Sequence, residues 1–249
     1  MQIFLDTGSV KEVERAAAFG VLDGVTTNPS LIAKEGKDFH QTIKVICKIV
    51  NGPVSAEVVN TNTEGMIKEA KQLVKLGKNV VVKIPLIPEG IKAVKQLSKQ
   101  GIKVNVTLCF SPNQALLAAK AGAKYVSPFA GRIDDMLRTN MKVKFDKSDY
   151  YPAEGMDDME DNGIVSGIDL VRQCVDVLRY YEMKTEVLAA SLRNPRQVRE
   201  AALAGADIAT LPFSVIQKLL SHRKTYEGME SFTKDIVPGY KQLIDRIKS

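Results

Sequence analysis

The chain has 249 residues, of which 45% are hydrophobic and 26% charged, and its formal net charge is +6. This length suits one eight-stranded α/β barrel or two small domains, and no stretch reaches the roughly 20 apolar residues of a membrane-spanning helix. Its lysines are spread along predicted helix faces rather than grouped with aromatic residues, so neither a nucleic acid nor a membrane is an expected partner. A small anionic substrate, bound by a few arginines, is a better match for this charge than a nucleic acid or a membrane.

The cysteines and the first residues bear on the compartment. Cys47, Cys109 and Cys174 are far apart and form no CxxC pair, which argues against a disulfide framework and a zinc site. The opening residues MQIFLDTGSV lack the basic segment and long apolar run of a secretory signal. We therefore expect a cytoplasmic protein.

Short apolar runs alternate with amphipathic helical stretches along the chain. The predicted strands are Ile3–Leu5, Gly24–Thr27, Ser55–Val59, Val80–Ile84, Val104–Leu108, Tyr125–Pro128, Glu186–Ala190 and Ile208–Leu211. The predicted helices are Val10–Ala18, Phe39–Val50, Thr63–Leu76, Gly90–Lys99, Pro112–Ala121, Ile168–Tyr180 and Pro195–Ala204. Such alternation gives a parallel sheet with right-handed crossovers. Eight units predict an α/β fold of the closed (β/α)8, or TIM barrel, type.

Five glycines lie between a predicted helix and the next strand. They are Gly20, Gly77, Gly101, Gly122 and Gly205. A glycine at this position commonly ends a helix in the left-handed conformation, so we expect positive φ angles at all five.

One predicted strand, Val80-Val81-Val82-Lys83-Ile84-Pro85, carries a lysine within an apolar run. Its β-branched neighbours favour a buried strand, where desolvation favours the neutral amine over the ammonium ion. A neutral amine attacks a carbonyl and forms a Schiff base. By itself the segment also fits an edge-strand lysine whose ammonium reaches water, so Lys83 has to be judged with the rest of the chain.

Polar residues stand at the ends of seven of the eight predicted strands. In chain order they are Asp6, Thr26, Thr27, Asn28, Glu57, Lys83, Asn105, Thr107, Ser127 and Ser191. In a parallel barrel the carboxyl ends of the strands meet at one mouth, where catalytic side chains gather. Turn chemistry explains single cases, such as Asn28 before Pro29, but not seven strands together. The pattern predicts an active site at this mouth.

The strand spacing is regular except after strand 6, where Ser127 and Ser191 are more than twice as far apart as the other neighbouring landmarks. We interpret residues 137–162 as an inserted loop that either covers the mouth or projects into solvent. Residues 226–249 form a predicted helical tail whose apolar stripe covers its own barrel or a neighbouring subunit. The whole chain, 1–249, is expected to form a single domain.

Several segments resemble the small-form transaldolase family, which also contains fructose-6-phosphate aldolases. They include FLDTG, DGVTTNPSL, SAEVV, VVVKIP, YVSPFAGRIDD, VLAASLRNPRQV and AGADIATLP. The resemblance covers the chain except about Leu137 to Asn162. It implies a class I Schiff-base enzyme of the pentose phosphate pathway, without a cofactor. It would move a dihydroxyacetone unit from sedoheptulose 7-phosphate or fructose 6-phosphate to glyceraldehyde 3-phosphate or erythrose 4-phosphate. The family's small forms often assemble as decamers, so a homo-oligomer is expected.

The resemblance also implies a role for each site residue. Lys83 would form the Schiff base, Asp6 would take the proton from the C4 hydroxyl, and Glu57 would be an acid/base acting through a water held by Thr107. Asn28, Asn105 and Ser127 are expected to bond the hydroxyls of the dihydroxyacetone unit, and Thr26 and Phe129 are also expected to bind the substrate. The residues expected to hold the phosphate are Arg132, Ser191 and Arg193, because arginine matches phosphate with two parallel hydrogen bonds. For Arg132 and Arg193 a surface ion pair is the alternative.

Two positions bear on the type of reaction. In the family, transaldolases carry Glu and Phe at the positions of Glu57 and Phe129, whereas fructose-6-phosphate aldolases carry Gln and Tyr. Transfer is therefore favoured, and the alternatives are a fructose-6-phosphate aldolase and a non-catalytic barrel that binds sugar phosphates. The acidic residues between Glu154 and Asp161 lack the spacing of a calcium loop, so no metal site is expected.

Overall fold

A computed structural model describes residues 1–140 and 163–234, and in it eight parallel strands close into one barrel. The strands are β1 (Gln2–Asp6), β2 (Gly24–Thr26), β3 (Val54–Glu57), β4 (Val80–Pro85), β5 (Val104–Cys109), β6 (Tyr125–Pro128), β7 (Glu186–Ala189) and β8 (Ile208–Leu211). Each strand pairs with the next in sequence, and β8 pairs with β1 through Phe4 and Thr210 among others. The predicted (β/α)8 barrel is confirmed.

Eleven helices lie in the described residues. They are α1 (Val10–Ala17), α2 (Pro29–Lys34), α3 (Phe39–Ile49), α4 (Thr63–Leu73), α5 (Pro88–Lys99), α6 (Pro112–Ala121), α7 (Ala130–Asn140), α8 (Gly167–Tyr180), α9 (Pro195–Leu203), α10 (Phe213–Leu219) and α11 (Arg223–Lys234). Several of them begin at a polar residue that the sequence itself supplies as a cap, as at Asn28, Asp38 and Asn194. A side-chain oxygen at this position satisfies a backbone N–H group that the first turn leaves unpaired.

The contacts within the chain divide it into two units. The first, Met1–Ile216, contains the barrel, and the second, Gln217–Ser249, contains α11. The single domain expected from the sequence therefore stays a prediction. The apolar stripe of the predicted tail, from Tyr240 to Ile247, lies outside the described residues.

Helices α2, α7 and α10 have no counterpart among the predicted helices, and two local features also differ from the sequence-based expectations. Helix α7 continues to Asn140, so residues 137–140, assigned to the inserted loop, are helical; Leu137 and Arg138 are buried one turn after Asp134. The rest of that loop, 141–162, lies outside the described residues. Gly77 does not have a positive φ angle, whereas the other four glycines do. Its small size instead admits Cys47, because a Cβ atom at Gly77 would lie 2.7 Å from that of Cys47.

An apolar layer fills the barrel interior below the mouth. It consists of Phe4, Val81, Tyr125, Leu188, Ala190 and Ile208, and it is separate from the larger core between strands and helices. The Phe4 and Tyr125 rings meet edge to face, with centroids 6.3 Å apart. Gly24 makes room for this layer, since a Cβ atom there would lie 2.6 Å from the Phe4 ring. This layer forms an apolar floor beneath the mouth, the end at which barrels of this type bind their substrates.

Candidate active site

Strand periodicity brings the polar residues together. Successive side chains on a strand face opposite sides, so residues two positions after the interior apolar layer face the interior again, one level nearer the mouth. The residues at this level are Asp6 after Phe4, Lys83 after Val81, Ser127 after Tyr125 and Thr210 after Ile208. An apolar floor thus carries a polar layer built from four different strands.

Lys83 is buried, with 7% of its surface exposed, and its Nζ lies 3.1 Å from Glu57 Oε2. The parallel register of β3 and β4 sets Glu57 directly beside Lys83. The lysine also donates to the carbonyl oxygen of Thr27 at 3.4 Å. Most of the Lys83 side chain is therefore withdrawn from water, and β4 lies between β3 and β5 in a closed barrel, so the edge-strand alternative does not describe it. A buried amine in contact with a carboxylate is an arrangement for transferring a proton and exposing a nucleophile.

Asp6 lies at the same level with a hydroxyl relay behind it. Thr26 Oγ1 donates to Asp6 Oδ1 at 2.7 Å, and Thr26 Oγ1 is 2.6 Å from Thr210 Oγ1. Because the single Thr26 proton goes to Asp6, Thr210 is the donor to Thr26. Burial raises the pKa of Asp6 above its ordinary value, while the Lys83 ammonium and the Thr26 hydroxyl oppose that rise. Such opposing influences are common at acid–base groups.

A second set of buried hydrogen bonds crosses from β6 to β3. Ser127 Oγ donates to Asn105 Oδ1 at 2.7 Å, and Asn105 Nδ2 donates to Ser55 Oγ at 3.2 Å. All three side chains are almost fully buried. The bonds fix the orientation of the Asn105 amide, with its nitrogen towards β3 and its oxygen towards β6.

A cavity of about 510 Å³ opens at the mouth. The predicted site residues that line it are Asn28, Glu57, Thr107, Phe129 and Arg132. The Thr107 hydroxyl is buried and finds no hydrogen-bond partner among the residues that the structure describes. Asn28 Oδ1 accepts the Leu31 N–H of α2 at 2.9 Å, which fixes this side chain at the rim. The size of the cavity matches a small metabolite.

The predicted phosphate residues fall into two situations. Arg132 is exposed and lines the cavity, whereas Arg193 is half-buried and makes a two-pronged ion pair with Asp135, at 2.6 and 2.8 Å. The ion-pair alternative thus describes Arg193 in this structure. The Arg193 guanidinium nevertheless lies close to Gly131, the residue before Arg132, because a Cβ atom at Gly131 would be 3.0 Å from Arg193 Cζ. Ser191 has a φ of +60°, and its Oγ lies 3.5 Å from Arg193 Nη2.

Sequence reasoning missed three members of this region. Thr210 completes the polar layer on the one strand for which no polar end was predicted, and Ser55 completes the bond chain through Asn105. Asp135 is the partner of Arg193. The signal for Thr210 was its place two residues after Ile208 in a predicted strand, the same offset that relates Asp6 to Phe4.

Two further findings concern metals and membranes. Over residues 1–140 and 163–234, no group of three or more His, Cys, Asp or Glu side chains is placed to hold a metal ion. Within the same ranges, every helix is too short or too polar to cross a lipid bilayer. The acidic residues between Glu154 and Asp161 lie outside the described residues.

The fold and the mouth together define a class of protein: a (β/α)8 barrel with a buried lysine paired to Glu57, which itself lines a cavity of metabolite size at the mouth. Comparison with known proteins gives the family. Residues 3–246 match the model of the transaldolase/fructose-6-phosphate aldolase family. The chain belongs to this family of enzymes.

Similar proteins extend over nearly all of the chain. A probable transaldolase of Methanococcus maripaludis is 52% identical over 235 residues, which are 94% of this chain and 97% of that protein. One from Caldicellulosiruptor saccharolyticus is 50% identical over 94% of this chain and 96% of its own length. One from Petrotoga mobilis is 47% identical over 249 residues, 100% of this chain and 99% of that protein. The last similarity therefore includes residues 137–162.

Proposed function

We propose that this protein is a transaldolase that transfers a dihydroxyacetone unit between sugar phosphates through a Schiff base on Lys83. The observation that carries the proposal is the buried Lys83 ammonium 3.1 Å from Glu57, on the interior level that also holds Asp6. A barrel that only binds sugar phosphates has no need of a buried lysine paired with a carboxylate, because burying such charges costs free energy.

Formation of the Schiff base requires Lys83 to give up a proton. Glu57 is the acceptor in direct contact, and the released amine attacks the C2 carbonyl of the ketose to form a carbinolamine. Protonation of the C2 hydroxyl by Glu57, directly or through a water, lets it leave as water and yields the iminium ion. The buried Thr107 hydroxyl, which lines the same cavity as Glu57, is available to hold that water.

Asp6 serves the carbon–carbon bond step. The iminium ion accepts the electron pair of the C3–C4 bond as Asp6 takes the proton of the C4 hydroxyl, which leaves an enamine on Lys83 and a free aldose phosphate. A second aldose phosphate then receives the enamine carbon, and Asp6 returns its proton to the new C4 oxygen. The Thr210–Thr26 relay holds the Asp6 carboxylate in place. No cofactor is needed, because the lysine adduct itself stores the electron pair.

The remaining residues hold the substrate in the proposed scheme. The Asn28 amide nitrogen, Asn105 and Ser127 bond the hydroxyls of the dihydroxyacetone unit, with Thr26 and Phe129 beside it. Arg132 and Arg193 hold the phosphate together with Ser191. For Arg193 this means that the phosphate shares or replaces Asp135 as partner of the guanidinium.

Transfer, rather than release of free dihydroxyacetone, depends on the enamine staying unprotonated. Phe129 lines the cavity with an apolar ring whose centroid is 6.0 Å from that of Phe110, so it offers no proton to the enamine. Glu57 and Phe129 are the residues associated with transaldolases, and this supports transfer over a fructose-6-phosphate aldolase activity. The proposed setting is the cytoplasmic pentose phosphate pathway, with the protein as a homo-oligomer.

The test is covalent trapping with fructose 6-phosphate and borohydride, which reduces a Schiff base to a stable amine. Intact-protein mass should rise by a dihydroxyacetone-sized or hexose-phosphate-sized increment in the wild type and not in Lys83→Ala. Lys92→Ala, at an exposed lysine on α5, is the matched control and should trap like the wild type. Folded wild type that forms no adduct would contradict the proposal.

A further inference from the structure

A buried chain of hydrogen bonds runs beneath the proposed phosphate site, where α7, α8 and α9 meet. Asp134 of α7 is 1% exposed; its Oδ1 accepts the Gly167 N–H at 2.7 Å, and its Oδ2 accepts from Gln197 Nε2 at 2.9 Å. Gln197, equally buried, in turn accepts the Arg193 N–H on Oε1 at 2.8 Å. Asp134 is thus linked through one side chain to the backbone of Arg193.

The polarity of this chain is fixed at both ends. A backbone N–H can only donate, so Gln197 must present its oxygen to Arg193 and its NH2 group to Asp134. Asp134 must therefore accept on both oxygens, one from Gly167 and one from Gln197. A carboxylate satisfies this pattern and an amide does not.

Two neighbouring acids of α7 consequently hold the two ends of the same arginine. Asp135 binds the Arg193 guanidinium with both oxygens, while Asp134 fixes the Arg193 backbone through Gln197. The loop between β7 and α9 also contains Ser191, in the left-handed region with a φ of +60°. A non-glycine residue in that conformation needs such external support.

We propose that Asp134 and Gln197 are positioning residues for phosphate recognition, which they serve by fixing the loop that carries Ser191 and Arg193. This inference rests on the proposed function, in which that loop holds the substrate phosphate. Neither residue touches the substrate. Their contribution is to hold the β7–α9 loop in the conformation in which Ser191 and Arg193 bind the phosphate.

The first variant is Asp134→Asn. Its Oδ1 still accepts the Gly167 N–H, but an NH2 group now faces the NH2 group of Gln197. Gln197 must turn over to present its oxygen, and its NH2 group then opposes the Arg193 N–H. We expect the KM for fructose 6-phosphate to rise about ten- to a hundredfold, with kcat within about threefold of wild type. The KM for fructose, which lacks the phosphate, should change by less than about twofold.

A compensating variant separates this role from a merely structural one. In Asp134→Asn/Gln197→Glu the carboxylate introduced on α9 accepts from the amide introduced on α7 and from the Arg193 N–H, so the polarity of the chain is satisfied again. The KM for fructose 6-phosphate should return to within about threefold of wild type. Gln197→Met only deletes the link, and it should raise the KM for fructose 6-phosphate as Asp134→Asn does. If Asp134→Asn fails to fold, Gln197→Met takes its place in the test.

The matched control is Asp207→Asn. Asp207 also accepts a backbone N–H, that of Val187 at 2.7 Å, and pairs with an arginine, Arg179, but at the amino end of β7 and β8, away from the mouth. Its KM values should equal those of the wild type. An unchanged KM ratio of fructose 6-phosphate to fructose in Asp134→Asn, or an elevated ratio in the double variant, would overturn the inference. Wild type that forms no adduct with fructose 6-phosphate would instead contradict the proposed function.

Discussion

At the scale of single residues, Thr210 is the clearest test of the relay behind Asp6. Thr210→Val keeps the shape but removes the proton donated to Thr26, which frees Thr26 to turn away from Asp6. We expect kcat to fall about tenfold with little change in KM, measured as steady-state transfer to erythrose 4-phosphate. Thr185→Val, which removes a buried hydroxyl bonded to the Ala123 carbonyl, is the control and should keep its kcat. Equal losses in both variants would refute a specific role of Thr210.

Phe129 decides between transfer and cleavage at the same scale. Phe129→Tyr adds a phenol to the cavity wall near the enamine, and this group can deliver a proton to it. The ratio of dihydroxyacetone released to dihydroxyacetone transferred should rise at least severalfold, as followed by coupled assays of both products. Phe110→Tyr, on the neighbouring ring, is the control. A ratio that stays at the wild-type value would argue against this account of reaction type.

The buried Asp134 carboxyl also makes the free energy of unfolding depend on pH. Burial raises its pKa from 3.8 to about 6, against the opposing effects of the Gly167 N–H, Arg138, Gln197 and Arg193. The folded state therefore binds the Asp134 proton more tightly than the unfolded state. This group lowers the free energy of unfolding as the pH rises from about 4 to 6, by about 3 kcal/mol in total.

Urea unfolding of the wild type and Asp134→Asn between pH 4 and 7 measures this contribution. The stability difference between the two proteins should change in favour of the variant as the pH rises to 6 and stay constant above it. Other acids titrate equally in both proteins and cancel in the difference. Parallel curves would mean that Asp134 has an ordinary pKa.

At the scale of elements, the close approach of α7 to the β7–α9 loop depends on Gly131. A Cβ atom there would lie 2.3 Å from the Ser191 carbonyl oxygen, so Gly131→Ala must displace the loop. We expect a loss of about 1–3 kcal/mol in the free energy of unfolding and a raised KM for fructose 6-phosphate. Gly228→Ala on α11, where no described atom lies within 4 Å of the new methyl group, should leave the KM unchanged.

The elements also show where sequence reasoning succeeds. All eight strands were predictable because runs such as Val80–Pro85 are β-branched and buried, whatever their partners. Helix α2 was missed because it has only six residues, and its start at Asn28-Pro29 is equally typical of a turn. The Gln197 bond to Asp134 joins residues from two helices far apart in the chain, and no local pattern encodes such a contact.

The candidate site residues could be predicted at strand ends for a related physical reason. Asp6, Glu57 and Lys83 interrupt apolar strands, where an unexplained charge is conspicuous. Thr210 was overlooked because a threonine is an ordinary strand residue, and only barrel closure brings it beside Thr26. The ion pair of Arg193 with Asp135 likewise required the packing of α7 against the loop.

At the scale of the whole molecule, the prediction is self-association. The barrel unit exposes large apolar side chains on its helices, among them Leu117, Tyr180 and Leu203, which an assembly would cover. Light scattering of the purified protein should give the mass of a homo-oligomer, with a decamer as the specific expectation. A monomer across a wide concentration range would remove this prediction, and the proposed chemistry would stand without it.

The pairing of β1 with β8 has a consequence for the order in which a cell obtains a working protein. Asp6 is synthesised long before Thr210, the residue that completes its hydroxyl relay. Until that strand has been synthesised, the nascent chain has two open sheet edges, which invite pairing with other chains. A message truncated before the codon for Ile208 should therefore yield an aggregating polypeptide rather than a weaker enzyme. Activity should appear only after β8 has been synthesised.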